Sequence, residues 1–282
     1  MQLEQIDLIT KWLCKADGLL ITAGAGMGVD SGLPDFRGNE GFWKAYPALG
    51  KSKLSFAEMA DPSWFDKNPR LAWGFYGHRL NLYRQTTPHL GFSILQKWAK
   101  KMIHGVAVFT SNVDGQFQIS GFPDASVYEC HGSIHHLQCS TSCTDAIWSA
   151  DFFIPDVDTD KCLLLNELPL CPHCGSVARP NILMFSDSSW LPDRCEVQGT
   201  ELKSFLSLVE NPLVIELGAG TVVPSVRQFG EQVSNELVTN FVRLNLRESS
   251  VFSANSIGLG VGALDGLNLI DQRLNQLNTT SF

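Results

Sequence analysis

The sequence predicts an α/β fold, in which a parallel sheet carries helices on both of its faces. Apolar runs typical of strands recur along the chain, at residues 19–21, 106–110, 213–217 and 241–246. Several of them lead into polar or glycine-containing turns, and ligands bind at that carboxyl edge in open parallel sheets. With 282 residues and 44% hydrophobic side chains, the chain can bury a sizeable core.

A helix is predicted before the first strand and a helical insertion after it. Residues 2–16 space apolar side chains as one face of a helix: Leu3, Ile6, Ile9 and Leu13. Residues 39–88 are rich in Trp, Phe and Tyr, and prolines at 47, 62 and 69 divide them. This composition favours short helices that form a lid, although plain hydrophobic contact would suit the same aromatic residues.

The turn after the first strand is the most informative segment. Gly24, Ala25 and Gly26 follow the apolar run directly, and an acid, an aromatic residue and an arginine come later, at Asp35, Phe36 and Arg37. Glycines permit backbone angles that side chains forbid and let amides approach a pyrophosphate. The turn therefore favours dinucleotide binding, although a tight strand-to-helix turn without a ligand gives the same glycine pattern.

Composition bears on partners and location. The chain has 21 Lys and Arg against 29 Asp and Glu, a net charge of −8. This charge opposes binding to nucleic acid and favours a basic partner such as a lysine-bearing protein surface, or it merely maintains solubility. No apolar run approaches the roughly 20 residues that span a bilayer, and the N-terminus does not resemble a signal peptide. We therefore predict a cytoplasmic protein without a membrane partner, of undetermined oligomeric state.

Four of the eight cysteines form two close pairs, Cys139 with Cys143 and Cys171 with Cys174, and 27 residues separate the pairs. Two such pairs are typical of one tetrahedral zinc site, because thiolates are soft ligands that suit this metal. Four thiolates leave no position for water, so the predicted zinc is structural. A pair of disulfides or reduced core cysteines is the alternative.

Four motifs occur in order along the chain. They are Gly24-Ala25-Gly26 with Gly32-Leu33-Pro34-Asp35-Phe36-Arg37, then Thr110-Ser111-Asn112-Val113-Asp114-Gly115, Glu129-Cys130-His131-Gly132-Ser133, and Arg179-Pro180-Asn181-Ile182-Leu183-Met184-Phe185. Together they resemble the motifs of the sirtuins, which are NAD-dependent protein lysine deacylases, over roughly residues 10–250. The resemblance implies a Rossmann-like sheet, a helical insertion and a small zinc-binding module.

The resemblance also implies domain boundaries. Residues 1–38, 89–132 and 181–282 would form the NAD-binding domain. Residues 39–88 would form the helical insertion, with part of the cofactor loop and the acyl pocket. Residues 133–180 would form the zinc-binding module.

By the same resemblance, NAD is a consumed cosubstrate and an acyl-lysine protein or peptide is the partner. His131 would act as the general base for a ribose hydroxyl, Asn112 would hold the ribose or a water, and Asp114 would accept from the nicotinamide carboxamide. The full set of implied cofactor-binding residues is Gly24, Ala25, Gly26, Asp35, Phe36, Arg37, Ser111, Asn112, Asp114, Gly218, Gly220 and Asn245.

The implied reaction begins when the acyl-lysine carbonyl oxygen attacks the anomeric carbon and nicotinamide leaves. The ribose 2′-hydroxyl, activated through His131, then attacks the resulting O-alkylimidate. The products are free lysine, nicotinamide and O-acyl-ADP-ribose.

Two segments are predicted to contact the acylated substrate. Ile182, Met184 and Phe185 would line a groove in which a peptide pairs as an extra strand, although an ordinary buried strand is the alternative. Tyr76 and Arg79 resemble the Tyr-x-x-Arg pair of sirtuins that accept succinyl and malonyl lysine. Positions three apart share a helix face, and arginine offers a fork for a carboxylate. A solvent-facing arginine beside a core tyrosine would be the structural alternative.

Some positions depart from the family pattern. Gly28 stands where many members have Ser, Ser111 replaces Gln, and Phe117 replaces a frequent His. The segment 218–224 is one residue shorter than usual. These departures keep open an NAD hydrolase or ADP-ribosyltransferase of the same fold. A non-catalytic NAD-sensing module is a further alternative, against which the presence of His131, Asn112 and Asp114 argues.

Overall fold

The computed structural model describes residues 2–34, 38–251 and 253–279. The strands are β1 (Leu19–Ala23), β2 (Val106–Thr110), β3 (Val127–Glu129), β4 (Gly132–Cys139), β5 (Trp148–Ser149), β6 (Val157–Asp158), β7 (Leu163–Leu164), β8 (Ala178–Ile182), β9 (Leu213–Leu217), β10 (Phe241–Leu244) and β11 (Ser256–Leu259). The α-helices are α1 (Gln2–Lys15), α2 (Gly38–Ala45), α3 (Pro47–Lys51), α4 (Phe56–Met59), α5 (Trp64–Lys67), α6 (Pro69–Gln85), α7 (Leu90–Ala99), α8 (Gln116–Ile119), α9 (Asp193–Leu208), α10 (Ser225–Glu236) and α11 (Ala263–Thr279).

Six strands form the main sheet in the order β11-β10-β9-β1-β2-β3, and every pairing is parallel. Leu19 of β1 lies opposite Val106 of β2 and Leu213 of β9. The strand order therefore reverses direction between β1 and β9. In doubly wound sheets this reversal opens a crevice at the carboxyl ends of the strands, where ligands bind. The predicted Rossmann-like sheet is confirmed.

Successive residues of β1 face opposite helix layers. Ile21 packs in one core cluster with Phe92 of α7 and Ile270 of α11. Leu20 packs in another cluster with Leu202 of α9 and Val226 of α10. Because both faces are covered, the strand is apolar throughout, as the continuous run in the sequence indicates. Among the described residues, no helix combines the length and apolarity that crossing a membrane requires.

A further core joins α2–α6 to a small antiparallel sheet of order β5-β4-β8. The buried Trp73 of α6 donates from its indole Nε1 to the carbonyl of Ala178 in β8 at 2.8 Å. The short helices predicted for the insertion are present, but α6 has 17 residues. Its proline does not interrupt it, because Pro69 lies in the first turn, where no amide donor is needed. The domain boundaries proposed from the sequence stay predictions.

The four paired cysteines converge at one end of the small sheet. Their sulfurs lie within 4.8 Å of one another, and the Sγ atoms of Cys139 and Cys174, like those of Cys143 and Cys171, are 3.6 Å apart. Zinc–sulfur bonds of about 2.3 Å in a tetrahedron separate sulfurs by about 3.8 Å. The cluster therefore fits one structural zinc, which would tie β4 to the segment that leads into β8.

A buried ion pair links two central strands. Arg243 of β10 donates from Nε and Nη2 to the Glu216 carboxylate of β9, at 2.6 and 2.8 Å, and both side chains are fully buried. Nη2 also reaches Glu231 of α10 at 2.7 Å. Removing one member of such a pair leaves the other charge buried without its partner, which costs more than the pair contributes.

Loss of the zinc cluster should destabilise the fold. We expect Cys171→Ser to lower the free energy of unfolding by at least about 3 kcal/mol, since structural zinc sites contribute on the order of 10 kcal/mol to folding. Zinc content by elemental analysis and a urea titration measure the two effects. The control is Cys14→Ser, which changes an exposed cysteine outside the cluster. Full stability of the Cys171→Ser chain without zinc would contradict the assignment.

Truncation of the buried arginine should be costly. We expect Arg243→Met to lower the free energy of unfolding by about 3 kcal/mol, because the buried Glu216 then loses both of its hydrogen bonds to Arg243. Only the more distant Arg227, whose Nη2 lies 3.9 Å from Oε1, still faces that carboxylate. The matched control is Lys97→Met, which breaks the Lys97–Asp271 pair, where the lysine side chain is 41% exposed. That change should cost no more than about 1 kcal/mol. Equal losses in the two variants would show that burial of the ion pair has no energetic consequence.

Candidate active site

The loops after β1 and β9 approach each other closely at the reversal of the sheet. A Cβ on Gly26 would lie 2.7 Å from the Cα of Gly218, and one on Gly24 would lie 2.8 Å from the Cα of Ala219. Gly218 itself has a φ of +59°. Because the obstacles are backbone atoms, they cannot rotate away from a side chain. These glycines therefore allow two loops to meet at the crevice.

The reason for the glycines differs from the one predicted. Gly24 has a φ of −107° and Gly28 a φ of −80°, so neither is in the left-handed region. The amide of Gly24 donates to Leu217 O and that of Gly26 to Gly218 O, each at 3.0 Å. These two amides hold the loops together. Any phosphate contact from this turn would have to come from other donors.

The loop after β2 is tied to the glycine turn. The hydroxyl of Thr110 donates to Ala23 O at 2.9 Å and accepts from the amide of Asn112 at 3.0 Å. The side-chain Nδ2 of Asn112 donates to Gly24 O at 3.0 Å, and the Ser111 amide donates to Ala23 O at 3.3 Å. The side-chain NH₂ of Asn112 is thus held against the turn by its contact with Gly24.

Asp114 lies in the same loop and is buried. Its Oδ1 accepts from the amide of Gln116 at 2.9 Å, and its backbone carbonyl accepts from the ring of His135 at 2.9 Å. Burial raises the pKa of the carboxyl to about 6, with the charge of Glu129 adding to the rise. The Gln116 amide and the Arg79 guanidinium oppose the rise in pKa. Asp114 is therefore a carboxylate that changes charge near neutral pH.

His131 lies in the turn between β3 and β4, beside the β2 loop. The amide of the preceding residue, Cys130, donates to Thr110 O at 2.9 Å. Burial lowers the pKa of the imidazole, while a hydrogen bond with the backbone of Ser111 raises it. An imidazole whose pKa is lowered is neutral at physiological pH and can accept a proton. The structure thus brings His131, Asn112 and Asp114 together at the carboxyl ends of β2 and β3.

The turn that holds His131 also touches the predicted substrate segment. Gly132 has a φ of +77°, and a Cβ there would lie 2.1 Å from the carbonyl oxygen of Asn181. The carbonyl of His131 accepts from the amide of Leu183 at 3.0 Å. Only glycine fits at position 132, and this close contact sets His131 next to residues 181–183.

Glu129 supports this turn, and sequence reasoning did not identify its partners. The buried carboxylate is hydrogen-bonded by Arg194 of α9 and, at 3.4 Å, by Gln198. The thiol of Cys195 donates to Glu129 O at 3.1 Å. One helix thus fixes the last residue of β3, two positions before His131. No local signal connects these residues, since more than 60 positions separate them.

The predicted acyl residues lie on α6, in an aromatic cluster. Tyr76 and Arg79 are buried, and the Arg79 Cζ lies 5.2–5.8 Å from four ring centroids, those of Phe56, Phe75, Tyr76 and Tyr83. Arg79 donates from Nε and Nη2 to the hydroxyl of Tyr83 at 3.0 and 2.9 Å. The sequence prediction missed Tyr83, although its four-residue spacing from Arg79 on a helix is a signal for such contacts.

Residues 182–185 run beside this cluster. Ile182 and Met184 are buried, whereas Phe185 is 43% exposed. The rings of Phe185 and Phe56 meet edge to face with centroids 6.3 Å apart, and the Phe185 amide donates to Ala60 O at 2.9 Å. β8 is therefore buried along its length, and only the residues after it reach the surface. The acyl candidates of α6 and the 182–185 segment are brought together through Phe56.

Asn245 follows β10 on the other side of the crevice. Its Nδ2 donates to Ala219 O at 2.8 Å, and its Oδ1 accepts from the amides of Arg247 and Glu248 at 3.1 and 3.0 Å. This side chain holds two loops together, so its predicted contact with the adenosine ribose would compete with internal hydrogen bonds. Gly220 has no atom within 4 Å of the place where its Cβ would stand.

Three predicted cofactor residues, Asp35, Phe36 and Arg37, lie outside the described residues. Ala25 begins a short 3₁₀ turn after Gly24, at the reversal of the sheet. The remaining candidates surround one edge of the sheet, with an imidazole, an amide and a titratable carboxyl close together. The amide and the carboxyl can bind a polar ligand by hydrogen bonds, and the imidazole can accept a proton.

Comparison with known proteins agrees with this arrangement. The model of the Sir2 family matches residues 24–254. An NAD-dependent protein deacylase of Pyrococcus furiosus is 33% identical over 216 residues, which cover 76% of each chain. A probable bifunctional ADP-ribose hydrolase/ADP-ribosyltransferase of Fusarium oxysporum is 28% identical, and the match covers 78% of this chain but only 38% of that protein.

Among solved structures, a Sir2 homologue crystallised with NAD superposes with a TM-score of 0.74, over 96% of this chain and 94% of the other. At 21% identity this likeness shows the fold alone. The family match spans most of the chain, and the Pyrococcus relative supports it independently. The chain belongs to the Sir2 family.

Proposed function

We propose that this protein removes acyl groups from protein lysine in an NAD-dependent reaction that releases nicotinamide and O-acyl-ADP-ribose. The observation that carries the proposal is that His131, Asn112 and Asp114 lie together at the carboxyl edge of a doubly wound sheet. They are next to the point where the loops after β1 and β9 meet at Gly26 and Gly218. The reaction consumes one water, and its third product is the free lysine. The name of the Pyrococcus relative supports this activity.

NAD is the cosubstrate of the proposed reaction. Its cleavage between ribose and nicotinamide requires a fixed sugar and an oriented carboxamide. Asn112 is suited to the first task, because its NH₂ group is bonded to Gly24 O and its position is therefore set. Asp114 is suited to the second, because a buried carboxylate that is ionised above about pH 6 accepts strongly from an amide.

His131 is the proposed general base. The lowered pKa keeps the imidazole neutral, and the contact with Ser111 restrains the ring. In its neutral form the ring takes the proton of the ribose 2′-hydroxyl as that oxygen attacks the acyl carbon. Glu129 and α9 hold the turn that carries His131, so their proposed role is to position this residue.

The acyl specificity follows from α6. A buried guanidinium among four aromatic rings attracts a carboxylate that ends an acyl chain strongly, since a charge is screened less there than in water. We therefore include succinyl and malonyl lysine among the substrates, together with acetyl lysine. The groove for the substrate peptide would be formed by residues after β8, where Phe185 is exposed.

The Fusarium relative favours a second candidate, in which ADP-ribose from NAD is transferred to another group or to water without an acyl-lysine substrate. This reaction would use the same NAD site at the carboxyl edge of the sheet. It would not need the aromatic cluster around Arg79. The net charge of −8 supports a basic, lysine-bearing protein partner over nucleic acid.

Nicotinamide release separates these functions. We expect zinc-loaded protein to release nicotinamide from NAD only when an acetyl-lysine or succinyl-lysine peptide is present, and His131→Ala to lower kcat about 10²–10⁴-fold, as expected for loss of a general base. Chromatographic assay of nicotinamide measures both. His104→Ala is the control, since His104 lies in the turn before β2, at its amino end. Equal release without peptide would establish the ADP-ribose reaction instead.

The pH dependence of kcat/KM should depend on the protonation of Asp114 and His131. Asp114 has a raised pKa of about 6, so it loses its charge as the pH falls through that value. The lowered pKa of His131 keeps this base unprotonated until the pH is below 6.5. We therefore expect kcat/KM to be nearly constant above about pH 7 and to decline as the pH falls through about 6. In Asp114→Asn, the part of the decline that protonation of Asp114 causes should be lost. An acid limb above pH 7 would contradict both assignments.

A further inference from the structure

We propose that Tyr83 is a positioning residue that orients the guanidinium of Arg79 and thereby sets the preference of the acyl pocket for chains that end in a carboxylate. The inference rests on the proposed deacylase function and names a determinant of its specificity. It concerns a residue of α6 that lies outside the four sequence motifs.

The contact between the two residues fixes the plane of the guanidinium. Nε and Nη2, two adjacent donors on one edge of Arg79, both donate to the single hydroxyl oxygen of Tyr83, at 3.0 and 2.9 Å. Two donors that share one acceptor restrain rotation about the end of the side chain more than one donor does. The Nη1–Nη2 end is the one that we assign to the acyl carboxylate.

The chemistry of a phenol suits this role better than that of an acid. A Glu or Asp at position 83 would neutralise Arg79 and remove its attraction for an acyl carboxylate. The phenol accepts hydrogen bonds without a charge, because burial raises the pKa of Tyr83 above its usual value. Arg79 therefore keeps its positive charge while its direction is set.

Position 83 is itself well held. The backbone carbonyl of Tyr83 accepts from Nε2 of the buried Gln116 at 3.3 Å. The amide of Gln116 in turn donates to Oδ1 of Asp114 at 2.9 Å. Hydrogen bonds through Gln116 thus join the aromatic cluster around Arg79 to the loop that carries Asp114, the proposed nicotinamide contact. On the other side, the ring of Phe56 connects Arg79 to the exposed Phe185.

The test is a double-mutant cycle on selectivity. Tyr83→Phe, Arg79→Gln and the double variant are compared with the parent chain in kcat/KM for succinyl-lysine and acetyl-lysine versions of one peptide. Binding of the same two peptides is measured by fluorescence anisotropy in the presence of ADP-ribose. Tyr128→Phe is the control, because it removes a phenol hydroxyl on β3, where the ring packs against Phe109 outside the cluster around Arg79.

We expect Tyr83→Phe to reduce the succinyl-to-acetyl ratio about 10-fold or more, since hydrogen bonds to charged groups have effects of that size. The ratio should stay near the parent value in Tyr128→Phe. In the Arg79→Gln background, Tyr83→Phe should cause little further change, because its effect passes through Arg79. An equal loss with both peptides, or additive losses in the double variant, would overturn the inference while leaving the deacylase function intact.

The binding measurement distinguishes failure of the role proposed for Tyr83 from failure of the proposed deacylase function. A parent chain that turns over neither peptide would refute the proposed function. Preferential binding of the succinyl peptide that disappears in Tyr83→Phe would still support the role of Tyr83. Absence of that preference in the parent chain would overturn it.

Discussion

Close approach of two backbones at the reversal of the sheet is the constraint on which the site depends. Gly26 and Gly218 leave no room for a Cβ, and the loops after β1 and β9 are joined there by amide-to-carbonyl hydrogen bonds. This contact brings the ends of the two central strands together. Asn112 then bonds to Gly24 O, so the loop after β2 is placed by the same turn. The position of Asn112 thus follows from a steric condition on the backbone, whereas His131 is placed by its own turn.

Burial then gives these side chains their chemical properties. Asp114 and His131 both lie where water is excluded, and burial disfavours the charged form of each. The pKa of Asp114 rises to about 6, and that of His131 falls below its usual value. Neither shift requires an unusual partner. The Glu129–Arg194 contact, in contrast, maintains the position of the turn that holds His131.

The helical insertion of residues 39–88 buries a permanent cation, the guanidinium of Arg79. Arg79 lies against four rings, and its hydrogen bonds to Tyr83 satisfy one edge of the guanidinium with a neutral acceptor. Rings attract a cation through their negative faces without cancelling its charge. A site that is apolar and positively charged results, next to the segment that would receive a substrate peptide.

The sequence by itself determined the sheet, the cysteine cluster and the identity of the motifs. Continuous apolar runs, paired cysteines and ordered motifs are local patterns, and local spacing records them directly. It also determined that Tyr76 and Arg79 share a face of one helix. The reason for the glycines was wrong, however, because a need for close approach and a need for unusual backbone angles select the same residue.

Only the tertiary structure decided which distant residues meet. Arg194 reaches Glu129 across 65 positions, and Asn112 reaches Gly24 across 88. Phe185 meets Phe56 because β8 ends beside α4. Such contacts depend on how helices pack on the sheet, which the periodicity of a single segment does not specify. The shifts in pKa depend on the same packing, because burial is a property of the assembled layers.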